Sequence, residues 1–321
     1  MALTDEGLIE VAGFDSRWVR LASGARSHYM TAGSNGPAVV LLHGGITGSS
    51  GLAGWRFMAP FLGENGFRVY CPDMPGFGLA DTSPQHRPKS YAAYVDFIKE
   101  FTTALCLDRF HIAGNSMGCG NAVNYVCAHP EDVISFALIA GPVGDIAPAV
   151  PIGDDAKKRL MAFDGSPESM RTMMSEIIYR EEAVTDDLIQ MRTDAANAQR
   201  ESYAAIPPSF LSWVAGRPDP VLGARLTTKG RLDTCGIPGI YLYGRNDVIL
   251  PVENGFGIEP HLPDVQFFYP DECGHQGQTD QPDMFNQVFL EFFRDGQVSR
   301  KTADWAAVSD RRPENPALVE A

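Results

Sequence analysis

Apolar and polar positions divide the chain into three stretches with different periods. Up to about residue 144, short apolar runs of strand length alternate with stretches of helical period. Two short strands, around Trp18–Ala22 and Ser27–Thr31, are joined at Ser23-Gly24-Ala25 and read as a hairpin. Ala38-Val39-Val40-Leu41-Leu42 is apolar throughout, as in a strand buried on both faces. A helix is expected from about Trp55 to Glu64, after a loop over 46–54, and a strand over Phe67–Pro72. Ser90 reads as the N-cap of a helix over Tyr91–Cys106, where Tyr94, Val95, Ile98, Phe101 and Leu105 share one face. Strands at Phe110–Ala113 and Val133–Ala140 flank a helix that runs to about His129.

The pattern then changes. From Asp145 to about Lys229 no continuous strand appears and the period is helical, with starts at Asp154, Ser166 and Thr185. Five of the eleven methionines, Met161, Met170, Met173, Met174 and Met191, fall here beside Phe163, Tyr179, Tyr203, Phe210 and Trp213. They read either as an adaptable wall over a pocket or as this segment's own core. Strands return at Ile240–Gly244 and Val265–Tyr269, with a short helix near Val252–Glu259 and a last amphipathic helix over Pro282–Phe293.

Strands alternating with helices imply an α/β protein with a mostly parallel, doubly wound sheet. The sheet core is expected over 1–144 and 230–296, an inserted helical cap over 145–229, and a polar, flexible or loosely docked tail over 297–321. In such sheets ligands bind beyond the carboxyl ends of the strands.

Composition narrows the function classes. A net charge of −14 argues against nucleic acid or an anionic membrane as the partner. The six cysteines form no C-x-x-C and no zinc spacing, so they read as reduced thiols, mostly in the core. The N-terminus lacks a signal-peptide layout, and no apolar run approaches bilayer length, so a cytoplasmic location is expected. No metal site or cofactor is called for.

The candidate chemistry centres on Gly114-Asn115-Ser116-Met117-Gly118, set between a strand and a helix. This G-x-S-x-G is a nucleophile elbow: glycines clear room for a strained turn that holds a serine hydroxyl at the sheet edge. The Met117 N–H, at the helix N-terminus, suits a developing oxyanion. The second oxyanion donor should come from the loop after the strand at 38–42, as Gly45 or Ile46. Of seven histidines, only His275 lies in a loop after the last strand, between a glycine and a helix, and it is the expected base; His43 suits loop shaping. Asp247, after the strand at 240–244, is the natural acid, with Asp145 the serious rival and Asp233 and Asp264 weaker.

His43-Gly44-Gly45, Asp73-Met74-Pro75-Gly76-Phe77-Gly78, Gly114–Gly118, Gly244-Arg245-Asn246-Asp247 and Gly274-His275 together resemble the α/β-hydrolase superfamily over about 14–295. Within it, Asn115-Ser116-Met117-Gly118, the stretch Tyr179…Val184-Thr185-Asp186-Asp187-Leu188…Arg192, and Cys273-Gly274-His275 with Phe285-Asn286 are most similar to the meta-cleavage-product hydrolases. These split a carbon–carbon bond in 2-hydroxy-6-oxohexa-2,4-dienoates. The resemblance implies a triad of Ser116, His275 and Asp247, with Asn115 and Arg192 contacting the dienoate and Gly44 and Gln276 in the same pocket. It also implies a small-molecule substrate, and self-association as a homodimer or higher homo-oligomer, to which the family tends. Two departures fall in that pocket. The family carries an Asn after the His-Gly-Gly loop and this chain has none between 36 and 64; the family's Trp after the catalytic His is here Gln276. An ester, lactone or amide hydrolase with the same triad is the alternative. Arg192 separates the two, unless it is merely a solvated residue on a cap helix.

Overall fold

A computed structural model describes the chain except residues 1–2, 149, 151–152, 161, 206–219, 313–317 and 320–321. Met161, Phe210 and Trp213, assigned above to the helical segment, lie outside the described residues. Eight strands form one sheet: β1 (Asp15–Arg20), β2 (Arg26–Ala32), β3 (Ala38–Leu42), β4 (Arg68–Pro72), β5 (Phe110–Asn115), β6 (Val133–Ile139), β7 (Gly239–Leu242) and β8 (Val265–Phe268). Their spatial order is β1-β2-β4-β3-β5-β6-β7-β8. β2 runs antiparallel to both neighbours and the pairs from β4 to β8 are parallel. β3 and β5 are buried along their whole length, and β3 accordingly reads as an unbroken apolar run.

Helices Ala92–Ala104, Met117–Ala128 and Pro282–Asp295 cover the sheet. The last buries Phe285, Val288, Phe289 and Phe292, the face expected for it. Two local expectations change. The helix after Ser90 starts one residue later, with Tyr91 as its cap and no side-chain capping bond; Ser90 contributes only its carbonyl, to Ala93 N–H. The single helix expected from Trp55 to Glu64 is two, Gly51–Trp55 and Met58–Glu64. Ser50 caps the first by accepting from Ala53 N–H, so the helix begins inside the expected loop. Pro60 in the first turn of the second lacks the N–H that an unbroken helix would need there.

Between β6 and β7 the described residues form helices and no strand. Asp154–Leu160, Pro167–Ile177, Asp186–Ala198, Arg200–Ala204 and Pro220–Leu226 follow in order. Ser166 and Thr185 cap their helices by accepting from Ser169 and Leu188 N–H. Met170, Met173 and Met174 are fully buried with Ile177, Leu188 and Ile189, so these methionines belong to the segment's own core. Ala53 and Ile249 complete that cluster from the sheet side, which seats the helices over the carboxyl edge. Asp145 closes the base of the segment: its carboxylate accepts from the N–H groups of Thr228 and Lys229 and from the Thr227 hydroxyl.

Residues 298–312, expected as a flexible or loosely docked tail, pack against the sheet. Val298 and Ala303 are fully buried, and Arg300–Trp305 is a helix capped by Ser299. Tyr269 N–H donates to Ala307 and Ser309 N–H to Phe267, so residues 307–309 cover the free edge of β8. Arg312 donates to the carbonyls of Leu262 and Pro263. The polar composition hid small apolar residues spaced to fit that edge. No described helix is long and apolar enough to cross a membrane.

Candidate active site

Four strand ends supply the site. His43-Gly44-Gly45 follows β3, Ser116 follows β5, Asp247 lies beyond β7 and His275 beyond β8. Ser116 sits at φ 56°, ψ −121°, a strained conformation for a residue with a Cβ. Its surroundings leave no room for the turn to relax with larger neighbours. A Cβ on Gly114 would lie 2.1 Å from the Gly118 carbonyl, and one on Gly118 would lie 2.2 Å from the Leu42 oxygen. The elbow thus depends on both glycines, and the Ser116 N–H is tied to the Ile139 carbonyl at 2.9 Å.

Helix Met117–Ala128 starts immediately after the serine. Its first-turn N–H groups have no partner within the helix, and the Met117 N–H is among them. The loop from 43 to 46 closes on this point. A Cβ on Gly44 would meet the Ser116 Cβ at 3.3 Å, and one on Gly45 would meet the Met117 Sδ at 2.7 Å. His43 shapes the loop from within: it donates from Nδ1 to the Gly44 carbonyl at 2.7 Å and accepts the Met74 N–H at Nε2, 2.9 Å. Burial pushes its pKa below the usual imidazole value, in keeping with a neutral ring that both donates and accepts.

His275 is buried, and its Nδ1 donates to Asp247 Oδ2 at 2.7 Å. Asp247 Oδ1 accepts the N–H groups of Ile249 and Leu250 at 2.8 and 2.9 Å, which fixes the carboxylate plane. The histidine's Nε2 is buried without a hydrogen-bond partner among the described residues. Asp145, the rival acid, is engaged at the base of the helical segment and does not bond His275.

Asn115 is also buried. Its amide donates to the carbonyls of Ile139 and His275 at 3.1 and 3.0 Å. One amide bond therefore holds the Ser116 turn to the end of β6 and the other holds it to the His275 loop, and only Oδ1, beside Gly44, faces elsewhere. The dienoate contact implied for Asn115 has no free donor in this arrangement.

Arg192 is 1% exposed, so it is not a solvated residue on a helix surface. Its Nη2 donates to the Gln276 Oε1 at 3.0 Å, while Nε and Nη1 are buried without partners. Burial, with the nearby charge of Arg56, pushes its pKa down to about 9, which leaves it charged at neutral pH. Gln276, where the resembled family has Trp, thus orients the arginine. The result is a buried cation beside the His275 loop with two nitrogens, Nε and Nη1, unpartnered among the described residues.

Two features went unread in the sequence. Asp73 accepts from His28 Nδ1, Gly51 N–H and Leu79 N–H, all at 2.7 Å, and so joins β2, the start of helix Gly51–Trp55 and the loop at Leu79. A Cβ on Gly78 would fall 2.2 Å from the Asp73 carboxyl carbon, which explains the glycine in that loop. Asp280 is the second. It accepts the Arg180 N–H at Oδ1 and the Gly274 N–H at Oδ2, both at 2.8 Å, while His275 N–H donates to the Ile177 carbonyl. The histidine loop is therefore stitched to the end of helix Pro167–Ile177.

Comparison with known proteins places this geometry. Residues 37–172 match the α/β hydrolase fold family. The chain is 30% identical over 282 residues to a 2-hydroxy-6-oxononadienedioate/2-hydroxy-6-oxononatrienedioate hydrolase of Pseudomonas putida, covering 86% of this chain and 96% of that one. The chain belongs to the meta-cleavage-product hydrolases of the α/β-hydrolase fold. It is also 30% identical to a 2-hydroxy-6-oxo-6-phenylhexa-2,4-dienoate hydrolase of Burkholderia cepacia, over 85% of this chain and 93% of that one. A solved meta-cleavage product hydrolase from Pseudomonas fluorescens IP01 superposes with a TM-score of 0.73 at 26% identity, covering 88% and 98% of the two chains. The mostly parallel sheet and the hydrolase class read from the sequence stand with these relatives.

Proposed function

We propose that this hydrolase cleaves the carbon–carbon bond beside the ketone of a 2-hydroxy-6-oxohexa-2,4-dienoate, with Ser116, His275 and Asp247 as its triad. Arg192 carries the reading. A buried guanidinium with two unpartnered nitrogens is costly unless an anion completes it, and a dienoate brings one where a neutral ester does not.

The chemistry follows from the placement of groups. The dienol first ketonises: the 2-hydroxyl loses its proton and C5 gains one, leaving a 2,6-dioxo acid. His275 Nε2 takes the Ser116 proton, and Oγ attacks C6. The oxyanion formed there is met by the N–H of Met117 and that of Gly45 or Ile46. When the carbonyl re-forms, the C5–C6 bond breaks and its electron pair moves through C4 and C3 to the 2-oxygen. That dienolate is the leaving group, stabilised by the cation beside it, and a proton completes the dienoic product. Water, deprotonated by His275, then attacks the acyl-serine, releases the acid and returns the proton to Ser116. Asp247 holds the ring orientation and offsets the imidazolium charge.

In this reading 1–144 and 230–296 form the core, and 145–229 the cap over the pocket. The protein works in the cytoplasm, self-associates, and takes a small organic anion without metal or cofactor. An ester, lactone or amide hydrolase is the second reading, favoured by the Asn115 amide, which is already engaged by two carbonyls.

The test is a spectrophotometric assay with 6-alkyl and 6-aryl dienoates beside p-nitrophenyl esters. Loss of dienoate colour is expected, and Ser116→Ala should abolish turnover while still binding substrate. Activity on esters alone would favour the second reading; full activity in Ser116→Ala would remove the triad.

A further inference from the structure

His275 is held by its backbone as well as by its ring. Its N–H donates to the Ile177 carbonyl at 2.9 Å, and its own carbonyl accepts the Asn115 amide at 3.0 Å. One residue earlier, the Gly274 N–H donates to Asp280 Oδ2 at 2.8 Å. The other oxygen of that carboxylate accepts the Arg180 N–H at 2.8 Å, and the Tyr179 N–H also bonds it. Ile177, Tyr179 and Arg180 stand where helix Pro167–Ile177 ends. Gly274 permits this approach: a Cβ there would lie 2.8 Å from the Ile177 oxygen and 3.1 Å from the Tyr179 nitrogen. Asp280 is buried, and the Arg180 guanidinium turns away from it to the Glu272 carboxylate. Among the described residues Asp280 has no ion pair, and its hydrogen-bond partners are backbone N–H groups.

We propose that Asp280 is a positioning residue for His275, carrying the placement of segment 177–180 to the base of the reaction. This rests on His275 as the base in the reading above, not on which bond is cleaved. Asp247 fixes the orientation of the imidazole at Nδ1. It leaves the ring's advance toward Ser116 to the backbone that bears it, because Nε2 is buried without a partner. A misplacement of about 1 Å costs on the order of 10²-fold in rate. Residues 274–275 lean on 177–180 through two hydrogen-bonded routes, the Ile177 carbonyl and the Asp280 carboxylate. A buried carboxylate without a cation needs N–H donors to keep its charge, and here they come from two segments far apart in the chain. Losing either segment weakens the hold on the other. The helical insertion thus takes part in placing the base, although it supplies no member of the triad.

Asp280→Asn tests this at about pH 8, above the value near 6 to which burial pushes the carboxyl. The amide keeps the shape but turns an NH2 group toward N–H donors, so one hold is lost. With whichever substrate the parent turns over, kcat should fall about tenfold or more while KM stays within about twofold. Asp280→Glu, which keeps the charge, should recover part of the loss. In the Ser116→Ala background, the low-field proton NMR signal of the hydrogen that His275 shares with Asp247 should move or broaden on Asp280→Asn, a readout that needs no substrate. An unchanged kcat, or a fallen kcat with that signal unmoved, would overturn the proposal. Should Asp280→Asn fail to fold, Gly274→Ala disturbs the same contact from the other side, and an unchanged kcat there sinks the idea equally. Failure of the triad reading looks different, since His275→Ala would then remain active.

Discussion

Gly45 shows how little room the oxyanion side of the site allows. Its missing side chain lets the loop after β3 touch Met117, whose N–H is the other expected donor. Gly45→Ala places a Cβ 3.0 Å from the Met117 Cβ and closer still to the sulfur, so the two donors must separate. We expect kcat to fall about 10²-fold, as when one oxyanion donor is lost, with KM and the thermal midpoint little changed. Steady-state kinetics beside a melting curve would check this; a loss of stability equal to the loss of rate would point to misfolding instead. At the same scale, Ser116, Asp247 and His275 were readable because each sits in a short loop marked by glycine directly after an apolar strand. The unpartnered Nε and Nη1 of Arg192 were not, because no sequence pattern reports an unsatisfied nitrogen.

Between elements, Asp280 links the histidine loop to the helical segment across 100 residues of sequence. Burial pushes its carboxyl up to about 6, against the pull of backbone N–H groups from Arg180, Gly274 and Tyr179. A carboxyl raised in the folded state binds its proton more tightly there than in the unfolded chain. Its contribution to stability is thus fully present below the unfolded value near 4 and is lost as pH rises through about 6. The stability of the parent relative to Asp280→Asn should fall by roughly 2 kcal/mol from pH 4 to pH 7. Urea unfolding of both proteins at several pH values measures it, and a difference that stays flat would show that this carboxyl does not titrate in that range. Pairings of this kind explain what the sequence concealed. Strand periods and turn residues are local signals, whereas Asp280 with Arg180, Asp73 with His28, and Asp145 with Thr228 exist only once distant segments have met. The split of the helix at Arg56-Phe57 was legible in part, since Pro60 was in view, but the Ser50 cap that moved its start was passed over as loop.

Across the whole molecule, the residues after 297 matter for the sheet rather than for the chemistry. An uncovered β8 would present unpaired N–H and carbonyl groups to any other chain. Truncation after residue 297 should leave the site's residues in place, yet lower the thermal midpoint by several degrees and cause concentration-dependent association. Differential scanning fluorimetry with light scattering would detect both effects, and an unchanged midpoint would mean that this segment contributes nothing to the fold.

The closure at Asp145 bears on how such a protein could be altered. The helical segment leaves the sheet after β6 and returns at Thr227–Lys229, and one carboxylate spans the gap. To the sheet, everything from 146 to 226 is a long excursion whose two ends already touch. Replacing it by a different excursion disturbs no strand register, because the junction stays the same width. If the proposed cap and triad hold, the helical segment with Arg192 can be exchanged as a unit, provided its partners Gln276 and Asp280 are matched, while Ser116, Asp247 and His275 stay with the sheet. On the proposed reading, substrate range and catalytic power belong to different parts of this chain, clasped at Asp145 and meeting again at Asp280 and Gln276.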